Sequence, residues 1–146
     1  MTAVSQPSAS SSEQEYAGQR LGLPEHGPGS VASWGRRIAA LFLDWFASVL
    51  VAEAVAAYVE VSDSTARLLP LLIFLAQVTL FTGLLGGSFA QLALRVVVVR
   101  LDRRPVTILH ALVRTVLICL VIPPVVFNRD NRGLHDLAAG TIALNR

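Results

Sequence analysis

The sequence predicts an all-α integral membrane fold: an antiparallel transmembrane helix hairpin, a third apolar helix that is re-entrant or spanning, and a small cytoplasmic β element. Three observations predict it. Of the 146 residues, 53% are hydrophobic and 15% charged, against about 25% charged in an average soluble domain. Mean hydropathy is +0.59, and a soluble chain with room for one domain has too little interior to hide that much apolar surface. Two apolar runs reach the roughly 20 residues that cross a bilayer core. Between the second run and a third, less regular one lie four consecutive valines, a strand-forming series.

Residues 1–33 are polar and rich in Ser, Gln, Glu, Gly and Pro. Stretches such as SASSSEQE bury too little apolar area to offset the entropy of ordering them, so a disordered arm is expected. No signal-peptide h-region occurs in the first thirty residues. The more distinctive Arg20 to Ser30, RLGLPEHGPGS, reads as a solvated linker rather than a docking segment.

The first spanning helix is expected over about 36–60, its core IAALFLDWFASVLVAEAVAAYV interrupted only by Asp44 and Glu53. Trp34 and Tyr58 lie near its ends, where aromatic side chains favour the interface. Arg36 and Arg37 precede it, while Glu60 and Asp63 follow it, which by the positive-inside rule places the arm in the cytoplasm. The second helix, about 67–87, carries no charge from Leu68 to Leu94. Pro70 is expected in its first turn, Gly86 and Gly87 at its end, and Gly83 where the two helices approach closely. SFAQLALRVVVVRLDRRPVTIL then reads as a short helix followed by strand, turn and strand. The third apolar helix, about 106–122, contains His110 and Arg114 and meets Pro123-Pro124, which stop it. Arginines on both sides of this stretch favour a re-entrant helix, because a simple span would leave one basic cluster outside. The tail GLHDLAAGTIALNR reads as a helical turn, a glycine and a short strand able to pair with the valines.

Asp44 is the first candidate for chemistry, since a carboxylate inside a membrane helix costs about 2.5–3.5 kcal/mol unless it is paired or used. Arg37 lies seven residues earlier on the same face, and a rise of 1.5 Å per residue puts the backbones roughly 10 Å apart. A third group is therefore expected between them. Arg114, with His110 one turn earlier, is the best candidate, and Asp136 closes the set from the tail. This cluster reads either as a structural salt-bridge set or as a substrate or proton site. Glu53, nine residues after Asp44, faces the other way. His135-Asp136 reads as a buried hydrogen-bonded pair rather than a metal or hydrolase dyad, and Cys119 as inert packing. No phosphate loop, nucleophile elbow or dinucleotide fingerprint occurs. No enzyme activity, cofactor, metal or nucleic-acid partner is expected.

The chain resembles the RDD family of small bacterial membrane proteins, named for an arginine and two aspartates. GRRIAALFLDW resembles the family's first-helix signature, placing its arginine at Arg37 (or Arg36) and its first aspartate at Asp44. NRGLHDLAAGTIAL resembles the C-terminal signature, with the second aspartate at Asp136, and Arg114 in ALVRT agrees with a commonly seen arginine. GGSFAQLALRVVVVRLDRRPV is similar to the central segment. The family usually has Thr-x-Gly-Lys and Asp-Gly there, and this chain has Ser88, Ala90, Gln91 and Asp102-Arg103 instead. The arm looks like that of actinobacterial members. The resemblance implies a multi-pass protein of the bacterial plasma membrane, loosely associated with transport. Function is expected to run through association in the lipid bilayer, as a homo-oligomer or with a larger membrane complex; the alternative is a small ion or proton-coupled transporter. Arginines from Arg95 to Arg104 on anionic headgroups offer a third possibility.

Overall fold

The computed structural model describes residues 15–102, 104–120 and 132–146. Residues 1–14, Arg103, Arg129 and Pro123-Pro124 lie outside the described residues.

Helix α1, Trp34–Tyr58, starts where the Ser33 hydroxyl accepts the Arg36 N–H, and α2, Asp63–Leu85, starts where the Ser62 hydroxyl accepts the Thr65 N–H. Side-chain oxygens at these positions satisfy backbone donors that the first turn leaves open. The Ser62 cap starts α2 at Asp63, four residues before the expected start at about 67. Pro70 therefore sits inside the helix rather than in its first turn, and the chain remains helical through it. At the other end Gly86, at φ 79°, caps α2 by donating its N–H to the Thr82 carbonyl. That left-handed conformation strains residues with a Cβ.

The two long helices pack inside-out. The buried residues of α1 are Ala40, Asp44, Ser48 and Ala52, one every fourth position, which forms a single stripe of small and polar side chains. Phe42, Phe46 and Leu50, also four apart, point outward and are more than half exposed, as are Leu68, Leu72 and Leu84 on α2. Across the buried stripe, Gln77 Nε2 donates to the Asp44 carbonyl at 2.9 Å and to Ser48 Oγ at 2.8 Å. Both helices are long and apolar enough to cross a membrane.

After Gly86 the chain turns into α3, Phe89–Ala93, through a capping box in which Ser88 and Gln91 exchange side-chain and backbone hydrogen bonds. Strand β1, Val96–Arg100, follows. Among the described residues no second strand follows the expected turn: 104–107 carry none, and Val106 packs with Val98 and Ala111 instead of joining a ladder. The chain then enters α4, Ile108–Cys119, shorter than the expected 106–122. Its 12 residues span about 18 Å, too little to cross a hydrocarbon core. Gly83 serves α4 and not the hairpin: a Cβ there would lie 2.8 Å from Ile108 Cγ1.

The tail forms α5, Leu134–Ala138, and β2, Thr141–Asn145. Strand β2 pairs antiparallel with β1, from Val96 opposite Asn145 to Arg100 opposite Thr141. Its other edge binds the arm. Gly29 and Ala32 donate to the Asn145 and Ala143 carbonyls at 2.8 and 2.9 Å, and Asn145 donates back to Ser30 at 2.8 Å. The expected disorder through residue 33 is thus corrected for this stretch. Its backbone satisfies an otherwise open strand edge, and Ala32 is buried with Val96 and Ala143.

Candidate functional site

Asp136 organises the polar centre. Gly133 turns the tail into α5, and the Asp136 side chain, fully buried, reaches both α1 and α4. Its Oδ2 meets Arg37 Nη1 at 3.2 Å, and its Oδ1 accepts from Arg114 Nε at 2.9 Å and from Thr141 Oγ1 at 3.1 Å. His135 Nε2 lies 3.6 Å from Oδ2. Guanidiniums also fasten β2: Arg37 Nη2 donates to the Ala143 carbonyl at 3.0 Å and Arg132 Nε to the Thr141 carbonyl at 3.1 Å. Burial alone pushes the Asp136 carboxyl up. The charges of Arg114, His135 and Arg37, with the Arg114 hydrogen bond, outweigh that and hold it below the usual carboxylate range.

Asp44 is not part of this ion-pair set. The expected bridge to Arg114 is absent, because the turn after α2 brings α3 onto α1 and its donors reach the carboxylate instead. Ser88 Oγ donates to Asp44 Oδ2, and the Ala90 N–H donates to Oδ1 at 3.0 Å. Asp44, 3% exposed, is thereby satisfied by direct hydrogen bonds rather than by a direct ion pair.

The other candidates are scattered. Arg36 donates to Asn145 Oδ1 at 3.1 Å, on the exposed side of β2. Glu53 is exposed on α1. His110 Nδ1 pairs with Thr107 Oγ1 at 2.6 Å, at the start of α4 and away from Asp136. Cys119 lies at the last turn of α4. Among the described residues no three His, Cys, Asp or Glu side chains gather as a metal site.

Sequence reasoning treated Ser88 and Gln91 only as departures from a pattern, and Gln77 not at all. For the first two a signal was present: S-x-x-Q directly after two glycines marks a capped helix start. For Gln77, a lone amide in an uncharged helix, the signal was its polarity.

Between α1, α2, α4 and the start of α5 lies a cavity of about 390 Å³. Its polar lining comprises Arg37, Asp44, Ser88, Gln91, Arg114 and His135, and its apolar walls include Phe42, Trp45, Leu71, Phe74 and Ile118. Trp45 and Phe74 meet edge to face with ring centroids 5.7 Å apart. Arg114 is 2% exposed, and its Nη1 has no hydrogen-bond partner among the described residues.

The RDD family model matches residues 31–140, three-quarters of the chain, and takes in all of Arg37, Asp44, Arg114 and Asp136. The chain belongs to the RDD family. RDD proteins are membrane proteins, in keeping with the outward apolar faces of α1 and α2. Comparison with curated proteins and with solved structures gave no match. Within the RDD domain of this chain, then, the arginine Arg37 and the second aspartate form a partly buried ion pair, while the first aspartate receives α3.

Proposed function

We propose that this RDD protein is a multi-pass protein of the bacterial plasma membrane that acts by association, with further copies of itself or with a larger membrane complex. The observation that carries the reading is the inside-out arrangement. Large apolar side chains cover the outer faces of α1 and α2, while Asp136, Arg114 and Asp44 are buried and Arg37, partly buried, pairs with Asp136. Among the described residues, two helices of spanning length and one shorter apolar helix are too few to enclose a water path by themselves, so a role across the bilayer calls for further subunits. The arm, β1 and β2 are hydrogen-bonded together at the end of α1 that carries Arg36 and Arg37. The far end carries Glu60 and Asp63. The positive-inside rule then favours a cytoplasmic arm and tail, with α4 re-entering on that side. The decisive measurement is the mass of the particle extracted from native membranes in polymer-bounded nanodiscs. A multiple of the 15.7 kDa chain, or a defined complex, is expected; a monomer that copurifies with nothing overturns the reading.

The buried Asp44 on the cavity wall favours a second reading, an oligomeric proton-coupled or ion transporter. It requires cation flux in proteoliposomes that Asp44→Asn abolishes while assembly persists. Absence of flux from the wild-type oligomer eliminates it.

A further inference from the structure

The cavity beneath Arg114 combines features that neither a packing defect nor an ion-pair cluster requires. Its volume of about 390 Å³ falls in the range of small-molecule sites. Its lining is mostly apolar, with polar groups gathered toward Arg37, Arg114 and His135. The Arg114 side chain is almost completely buried, and Nη1, one of its donors, meets no acceptor among the described residues. A buried cationic donor without an acceptor is costly, and an anion is the group that satisfies it best. Asp44 shares the cavity, but its carboxylate points to α3, accepting from Ser88 Oγ and the Ala90 N–H, and Arg114 forms its ion pair with Asp136.

The walls define the rest of the occupant. From Arg37 to Trp45 along α1 is eight residues, about 12 Å of helix, and this stretch contributes Ile38, Leu41, Phe42 and Trp45. Opposite stand Leu71 and Phe74 of α2. Phe42, Trp45 and Leu71 are also exposed on the outer surface, so the cavity opens through the same apolar face that an acyl chain would meet. An anionic group at Arg114 with a hydrocarbon tail along this wall matches both halves of the lining.

We propose that the cavity binds a single-chain amphiphile with an anionic headgroup, the head on Arg114 and the tail between α1 and α2. This goes beyond the association reading and is tested on the isolated chain, so either can fail without the other.

The two tryptophans of the chain, Trp34 and Trp45, both line the cavity, which supplies a native reporter. The full-length protein in neutral detergent is titrated with 9,10-dibromostearate, whose bromines quench indole fluorescence. Saturable quenching is expected, reversed by oleate at a concentration about tenfold lower than by methyl oleate, the difference of roughly one charge-assisted hydrogen bond. Inorganic phosphate at the same concentration should not reverse it. Quenching that never saturates, equal competition by acid and ester, or displacement by phosphate alone each overturns the proposal. Arg114→Gln should weaken binding about tenfold. Because that variant also loses the Asp136 pair, Ile118→Phe provides the independent check: it fills the apolar wall without touching a charge. Unchanged affinity in a folded Ile118→Phe protein also refutes the assignment.

Discussion

Replacing Asp136 with asparagine keeps the side-chain volume and removes one negative charge from a site with no solvent access. The loss falls on two guanidiniums. Arg114, 2% exposed, loses the charged acceptor at 2.9 Å; Arg37, with 11% side-chain exposure, loses the one at 3.2 Å and keeps its bond to the Ala143 carbonyl. Breaking a buried pair by neutralising one partner costs about 3–5 kcal/mol, because the other charge is left uncompensated. The Arg37 contribution is the smaller, since that residue retains an acceptor and some solvent, and the asparagine oxygen can still accept one bond. A net loss of about 3 kcal/mol follows. For a chain of this length that corresponds to a fall of roughly 10 °C in Tm, at a few degrees per kcal/mol. The assay is thermal unfolding of the purified protein in neutral detergent, with Arg114→Gln and the double variant completing a cycle. The double variant should be less destabilised than the two single losses combined. If Asp136→Asn melts within about 2 °C of wild type, or the two losses simply add, the ion pair does not hold tail and helices together.

The same carboxyl gives a pH dependence. Its folded pKa is depressed by Arg114, His135 and Arg37, so its stabilising contribution is present above the unfolded value of about 3.9 and is lost as pH falls through the folded value. Tm should drop on acidification below about pH 4, and the slope should shrink in Asp136→Asn. Gly83→Ala should destabilise by about 1–3 kcal/mol through overpacking, since the new Cβ would lie 2.8 Å from Ile108 Cγ1 and 3.0 Å from its Cα; reduced membrane abundance and Tm report it. Ser88→Ala removes the hydroxyl donor to Asp44 and the α3 cap together, for a loss of about 1–3 kcal/mol. In that background Asp44→Asn should cost less than it does in wild type, measured by the same melts.

Much of the architecture was legible because it depends on local pattern. Uninterrupted apolar runs mark α1 and α2, β-branching marks Val96 to Val99, and Gly86 marks the end of α2. The errors have equally local causes. Composition places the start of α2 at about 67, beyond Asp63 to Ala66, whereas the Ser62 cap makes those four residues its first turn. The polar composition of the arm predicts disorder, and it cannot show that residues 29–32 complete the edge of a strand more than a hundred positions later. Gly83 marks a point of close approach, but its neighbour is Ile108 of α4 and not α1, because a glycine shows that something comes near and not what.

The charged residues divide along the same line. That Arg37, Asp44, Arg114 and Asp136 must be shielded from lipid follows from the one-dimensional pattern, since each lies in or beside an apolar segment and ionised groups are costly in hydrocarbon. Which acceptor satisfies which donor does not. Arg37 and Asp136 are 99 positions apart, Arg114 and Asp136 are 22 apart, and Ser88 reaches Asp44 across 44. Those distances collapse only when the Gly86–Ser88 turn folds α3 onto α1 and Gly133 turns α5 beneath α4. Hydrogen bonds and ion pairs act over about 3 Å, so their partners are chosen by backbone placement in three dimensions, whereas burial is chosen by polarity along the chain.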